Sequence, residues 1–170
     1  MIHPLVTQLR FARSEFVRGL EGVPPEDAVR RLEPANCLSW IVGHLASQEH
    51  FLWVMAAQGR DVAPGLLDLV GHGRPASTPP WEEMWAAWRE VTQAADAYLD
   101  ELTPERLPEY LLWEGAPLWE DIGTMLLRNI YHYWFHLGEA QGLRQMLGHR
   151  DLPQFVGGMS AVRHGMEGAG

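Results

Sequence analysis

The stretch Arg128-Asn129-Ile130-Tyr131-His132-Tyr133-Trp134-Phe135-His136-Leu137-Gly138 decides how the rest of the chain is read. It reads as the middle of a helix that begins near Trp119, runs to about Leu147 and stops at Gly148. His132 and His136 stand four residues apart, so a helix stacks both imidazoles on one side, where they can converge on one ion. Tyr131, Tyr133, Trp134 and Phe135 surround them and mark the segment as one to be buried. Two neutral imidazoles in such a place need hydrogen-bond partners or a metal. By itself the pair leaves both readings open: core histidines satisfied by backbone or water, or ligands of an ion. Gly123, Gly138 and Gly142 inside the helix lower its propensity and suggest close packing against neighbours.

Working outward, three more stretches carry helical periodicity. Leu5, Leu9, Ala12, Phe16 and Leu20 recur at three- and four-residue steps between His3 and Leu20, which predicts one buried face. Gly22, Pro24 and Pro25 end that helix, and Pro24 to Asn36 reads as a loop with at most a short turn. A second helix starts at Asn36 or Ser39 and continues to about Gln58, with Gly59 as its terminator. It is rich in Trp, Leu and Ala, so most of its circumference should be buried. A proline- and glycine-rich connection spans Asp61 to Pro80, a length at which loops are often functional. The third helix follows from Trp81 to about Leu102, with Trp81, Trp85 and Trp88 on one stripe. Thr103-Pro104-Glu105-Arg106 reads as a short capped turn, and Tyr110 to Leu118 as extended or irregular. The fold class is therefore all-α, a four-helix bundle, with the long connections permitting a non-sequential order of helices. The bundle domain is expected over residues 1–156, followed by a flexible glycine-rich tail over 157–170.

Bulk composition narrows the function. The chain has 170 residues, enough for one domain with one core, and 46% hydrophobic content is ordinary for a globular protein. A formal net charge of −9 argues against general affinity for nucleic acid, whose phosphates demand a basic face. Every basic residue is arginine, which excludes Schiff-base chemistry and a phosphate-binding loop, both of which need a lysine amine. The single cysteine, Cys37, allows no internal disulfide and points to a reducing, cytoplasmic setting. It lies two turns before His44, too far along the axis to share an ion, and reads as a small hydrophobe. No run of apolar residues is long enough for a membrane span, and the N-terminus lacks the pattern of a signal peptide.

The chain holds eight histidines. His3, His149 and His164 fall at helix ends or in the tail, His72 sits in the glycine-rich connection at a pocket mouth or in solvent, and His50 lies off the face of His44. His44 itself sits in Leu38-Ser39-Trp40-Ile41-Val42-Gly43-His44-Leu45-Ala46, a helix almost without charge. A lone histidine there is usually a core polar residue, but three buried histidines on two helices of one small bundle are harder to dismiss.

The segment Cys37 to Leu45, followed by the helix Asn129 to Glu139, resembles the DinB-like (DinB/YfiT-like) superfamily. The likeness covers roughly residues 3–148, with its specific motifs on the second and fourth helices. It implies a four-helix bundle that binds zinc, nickel or another divalent ion through three histidines, here His44, His132 and His136. Relatives include thiol S-transferases and isomerases that use low-molecular-weight thiols, and homodimers are common among them. Three imidazoles leave an ion open positions, whereas structural sites close all four. Such a site can lower the pKa of water or of a thiol.

The expected activity is thus metal-dependent thiol transfer or hydrolysis on a small molecule. The alternatives are a non-catalytic, metal-stabilised bundle that binds a small ligand or serves a stress response, and a dimeric module whose histidines only fill the core. An acidic protein is not an obvious host for an anionic thiol. Glu139, three residues after His136, is the catalytic candidate, as a proton acceptor or as a partner of the ligand, against the blander reading of a solvated carboxylate. Glu49 stands about 140° round its helix from His44 and is weaker. Tyr131 and Tyr133 cannot both face the site. Among the tryptophans, Trp40, Trp113 and Trp119 are the candidates to line an apolar pocket.

Overall fold

The His3 side chain accepts a hydrogen bond from the Leu5 amide, and Pro4 occupies the first helical position. Together they start α1 (Pro4–Gly19) where the periodicity predicts it. The computed structural model describes residues 2–154 and 156–162 of the chain. A single turn, α2 (Pro25–Ala28), interrupts the following loop. Helix α3 (Leu38–Glu49) is buried at nearly every position and widens to π geometry over His50–Ala56. Gly59, with φ of 65°, then ends it: the left-handed backbone turns the chain while its amide caps the Met55 carbonyl at 2.8 Å.

The connection from 61 to 80 is more ordered than its composition implies. It contains α4 (Leu66–Val70), whose Leu66 and Val70 are buried against α3. Helix α5 (Trp81–Leu99) stops three residues short of the expected Leu102, ahead of a 3₁₀ turn at Pro104–Arg106. The irregular stretch after it is a two-residue hairpin, β1 (Leu112–Trp113) against β2 (Ala116–Pro117). Glu114 and Gly115 both take positive φ at its tip, the turn that matches strand twist. Asp121 accepts the Thr124 amide at 2.8 Å and so caps α6 (Ile122–Met146).

The fold is all-α with one small hairpin. The most extensive packing joins α1 to α6 and α3 to α5, with α3 also against α4 and α6, so the first and last helices of the bundle lie side by side. Among the described residues no helix is long and apolar enough to cross a membrane.

One expectation is corrected here. Gly138 and Gly142 have open space where a side chain would stand, because they lie on the outer face of α6. Close approach occurs instead at Gly43, where an added Cβ would come within 2.4 Å of Met84 Sδ and 3.1 Å of Val70 Cγ2. That missing side chain lets α5 and α4 close on α3 next to His44. As far as Val162 the described part of the tail packs on α1: the Gly157 amide donates to Glu15 at 2.8 Å, and a 3₁₀ turn covers Ser160–Val162. Glu15 and Arg18 supply the polar partners that hold it. Residues 163–170, with His164, lie outside the described residues.

Candidate metal centre

Helical spacing builds one wall of the candidate site directly. His44, Ser47, Gln48, Phe51 and Leu52 follow at i, i+3, i+4, i+7 and i+8 and line one cavity. Facing them, α6 presents Arg128 and His132, with His136 one turn further on. The 61–80 connection adds Leu67, Gly71 and His72. The cavity has a volume of about 370 Å³, and Trp119, just before α6, stands on its wall.

His44, His132 and His136 come together at the inner end. Each offers one ring nitrogen, and these atoms lie within 4.8 Å of one another, a group that could hold a metal ion. His44 and His136 are buried, and His132 is half-buried. Ring centroids stand 4.9 Å apart for His44 and His132, 5.1 Å for His44 and His136, and 4.5 Å for His132 and His136. Trp40, one turn before His44, stacks on its ring at 4.4 Å and fixes that ring's plane.

The outward nitrogen of each ring is committed to an acceptor. His44 Nδ1 donates to the Val70 carbonyl of α4 at 2.7 Å. His136 Nδ1 donates to the Glu139 carboxylate at 2.7 Å. For His132 the assignment follows from a chain of bonds. Trp53 Nε1 can only donate, and it reaches Asn129 Oδ1 at 2.8 Å. That orients the Asn129 amide so that its Nδ2 donates to Gln48 Oε1 at 3.0 Å. Gln48 Oε1 is therefore an acceptor, and His132 Nδ1 donates to it at 2.7 Å. With a proton on every Nδ1, every Nε2 carries a free lone pair. The His132 and His136 Nε2 atoms face each other at 2.9 Å. Burial, reinforced for His132 by its histidine neighbours, pushes the pKa of His44 down to about 4 and that of His132 down to about 3. Both rings are thus neutral near pH 7, the state in which imidazole binds metal.

The other candidates separate cleanly. Glu139 lies behind His136 rather than in the cavity, so it orients that ring and has no contact with the open side. Glu49 belongs to a different cluster. Its carboxylate is fully buried and takes the Arg13 Nε at 2.8 Å, a second Arg13 nitrogen, and the Tyr133 hydroxyl at 2.6 Å. Trp88 Nε1 donates to that hydroxyl at 2.8 Å, and Arg13 also reaches Asp96 at 2.7 Å. Burial opposes the Arg13 charge, yet the Glu49 carboxylate outweighs it and raises the pKa. Tyr133 is raised well above the usual tyrosine value, by burial first and the Glu49 charge second.

Tyr131 is exposed on the outer groove, Trp119 lines the cavity, and Trp113 supports Phe51 from behind. Cys37 is buried with its Sγ on the Ser77 carbonyl, and burial raises its pKa. His50 is buried too, accepting the Val62 amide at 3.2 Å and so tying the 61–80 connection to α3. His72 stands at the cavity mouth.

Sequence reasoning missed Gln48, Asn129 and Val70. Gln48 was findable, being one turn after His44 on the same face. The Val70 carbonyl carries no side-chain signal at all.

The family model described as the DinB superfamily matches residues 8–140 of the chain. No curated protein matches it.

Proposed function

The chain belongs to the DinB superfamily, and on that premise we propose that it binds one divalent metal ion through the Nε2 atoms of His44, His132 and His136 and turns the open side of that ion to chemistry on a small molecule. The observation that carries this reading is the set of three Nε2 lone pairs, each imidazole held by its Nδ1 proton, converging beside a cavity that His44 and His132 line. Two such lone pairs at 2.9 Å repel, and a cation between them turns that repulsion into attraction.

Zinc and nickel are the ions we expect, since neutral imidazole suits both. When bound at such a site, a divalent ion supplies Lewis acidity that brings water or a thiol into its nucleophilic form near neutral pH. The chain's own part is to hold the ligands. Gln48, Glu139 and the Val70 carbonyl fix the tautomers and ring directions, and loss of such partners typically costs 10–100-fold in metal affinity. Leu67 and Gly71 line the cavity from the side of the 61–80 connection. The activity we favour is transfer of a thiol to an electrophile, or hydrolysis.

Elemental analysis of protein purified without chelator tests the proposal. The expected result is about one equivalent of a divalent metal per chain, absent from the His44→Ala, His132→Ala, His136→Ala triple variant. Equal metal content in both would refute it. Loaded protein that turns over neither thiol-plus-electrophile pairs nor esters would leave a binding protein in place of an enzyme.

A further inference from the structure

The cavity beside the three histidines changes character along its length. On α3 the lining residues run from His44 and Gln48 at the inner end to Phe51 and Leu52 at the outer end. Seven residues of helix separate His44 from Phe51, about 10 Å along the axis. The outer end is aromatic. Trp113 meets Phe51 edge-on at 5.3 Å, and Trp119 lies parallel to Phe51 at 6.1 Å. Trp119 is 61% exposed, a large apolar surface left beside a cavity. Leu67 of α4 adds a further apolar wall.

Charge is scarce. Arg128 is the one side chain with a permanent charge among the residues lining this cavity, and Glu120 holds it through both Nε, at 2.7 Å, and Nη2. The pair is neutral as a unit, so little is offered to a polyanionic ligand. Phe51 and Leu52 also belong to the π-helical segment, a geometry that recurs at functional sites.

We infer that this cavity takes an elongated ligand with an uncharged aromatic or apolar body lying against Phe51, Leu67 and Trp119, and one donor atom at its head directed to the three histidines. The inference rests on the metal-binding reading above and names the ligand class for it. A hydrophilic, multiply charged thiol fits poorly, because its carboxylates would be desolvated against Phe51 and Trp119 with no free cation to receive them. Pockets of this kind derive orientation from a few polar groups and affinity from apolar walls.

The test uses full-length protein loaded with cobalt(II), with loading measured first by elemental analysis. Three thiols serve as probes: phenylmethanethiol, with an aromatic body; glutathione, with a charged peptide body; and 2-mercaptoethanol, with almost none. The thiolate-to-cobalt charge-transfer absorption reports binding of each. The expected order places phenylmethanethiol at least tenfold tighter than either of the others. Trp119→Ala and Phe51→Ala should each weaken phenylmethanethiol several-fold and leave 2-mercaptoethanol unchanged. Since Trp119 is largely exposed, its variant stays folded even if the Phe51 variant does not. Glutathione binding as tightly as phenylmethanethiol, or a Trp119→Ala variant with undiminished affinity for it, overturns the inference while the metal reading stands. Failure of cobalt to load in the wild-type chain overturns both.

Discussion

Gln48 and Glu49 are neighbours on α3, His132 and Tyr133 are neighbours on α6, and each pair divides between two polar clusters. Gln48 and His132 serve the cavity, where three Nε2 atoms are left without a proton or a donor. Glu49 and Tyr133 serve the bundle interior, where carboxylate, guanidinium and hydroxyl are matched bond for bond with Arg13 and Trp88. One residue along a helix is about 100° of rotation, which suffices to place adjacent side chains in separate environments. Both clusters are polar and largely buried, so burial alone does not distinguish them. Satisfaction does. A closed network of compensated charges fixes how four helices meet, whereas convergent lone pairs are costly unless something positive arrives.

That contrast can be broken experimentally. The largest effect on stability should come from Glu49→Ala, which leaves the Arg13 charge buried without its main partner. A loss of about 3–5 kcal/mol is expected by chemical denaturation of the metal-free protein. A loss under about 1 kcal/mol would mean that the network is not what holds the bundle. Gln48→Ala should do the opposite, weakening metal affinity 10–100-fold in a competition titration while changing metal-free stability little. If it unfolds the protein and spares affinity, the division between the clusters is wrong.

Acidity sharpens the comparison further. A histidine whose folded pKa lies below its unfolded value near 6.5 costs the fold stability as the pH falls between the two values, because the unfolded chain takes up a proton that the folded ring does not. His44, at about 4, and His132, at about 3, should therefore leave metal-free stability flat above pH 6.5 and make it fall as the pH drops toward 4. The triple histidine variant should show a shallower decline over the same window. Equal slopes in denaturation midpoints at pH 7, 6, 5 and 4 would contradict this.

The smallest effect lies in the 61–80 connection. An ion on His44 Nε2 polarises the ring and strengthens its Nδ1 bond to the Val70 carbonyl. Hydrogen exchange over residues 61–80 should slow a few-fold on metal addition, with no change around Glu49. Uniform slowing throughout the chain would assign the effect to global stability instead.

Four helices, their stops at Gly59 and Gly148, and the convergence of His132 with His136 were legible in the residues, because helical period and i, i+4 spacing are local. The turn inside 61–80 was not. Five residues with two buried side chains give too weak a pattern, and α4 is held by the space that Gly43 leaves beside Val70. Glu49 looked like a poor second to Glu139 because angle round a helix says nothing of which neighbour waits there.

By itself the sequence determined an all-α chain of four amphipathic helices, one carrying a histidine pair on a single face and another carrying His44. Periodicity left His44 apart from that pair, and the likeness to the DinB-like superfamily joined them; tertiary structure alone decided that the Val70 carbonyl sets the His44 tautomer and that Glu49 turns inward to Arg13. The physical reason is range. Periodicity is written in backbone geometry over a few residues, whereas a ligand cluster and a buried ion network depend on where distant helices cross and on which charges can find partners once water is gone.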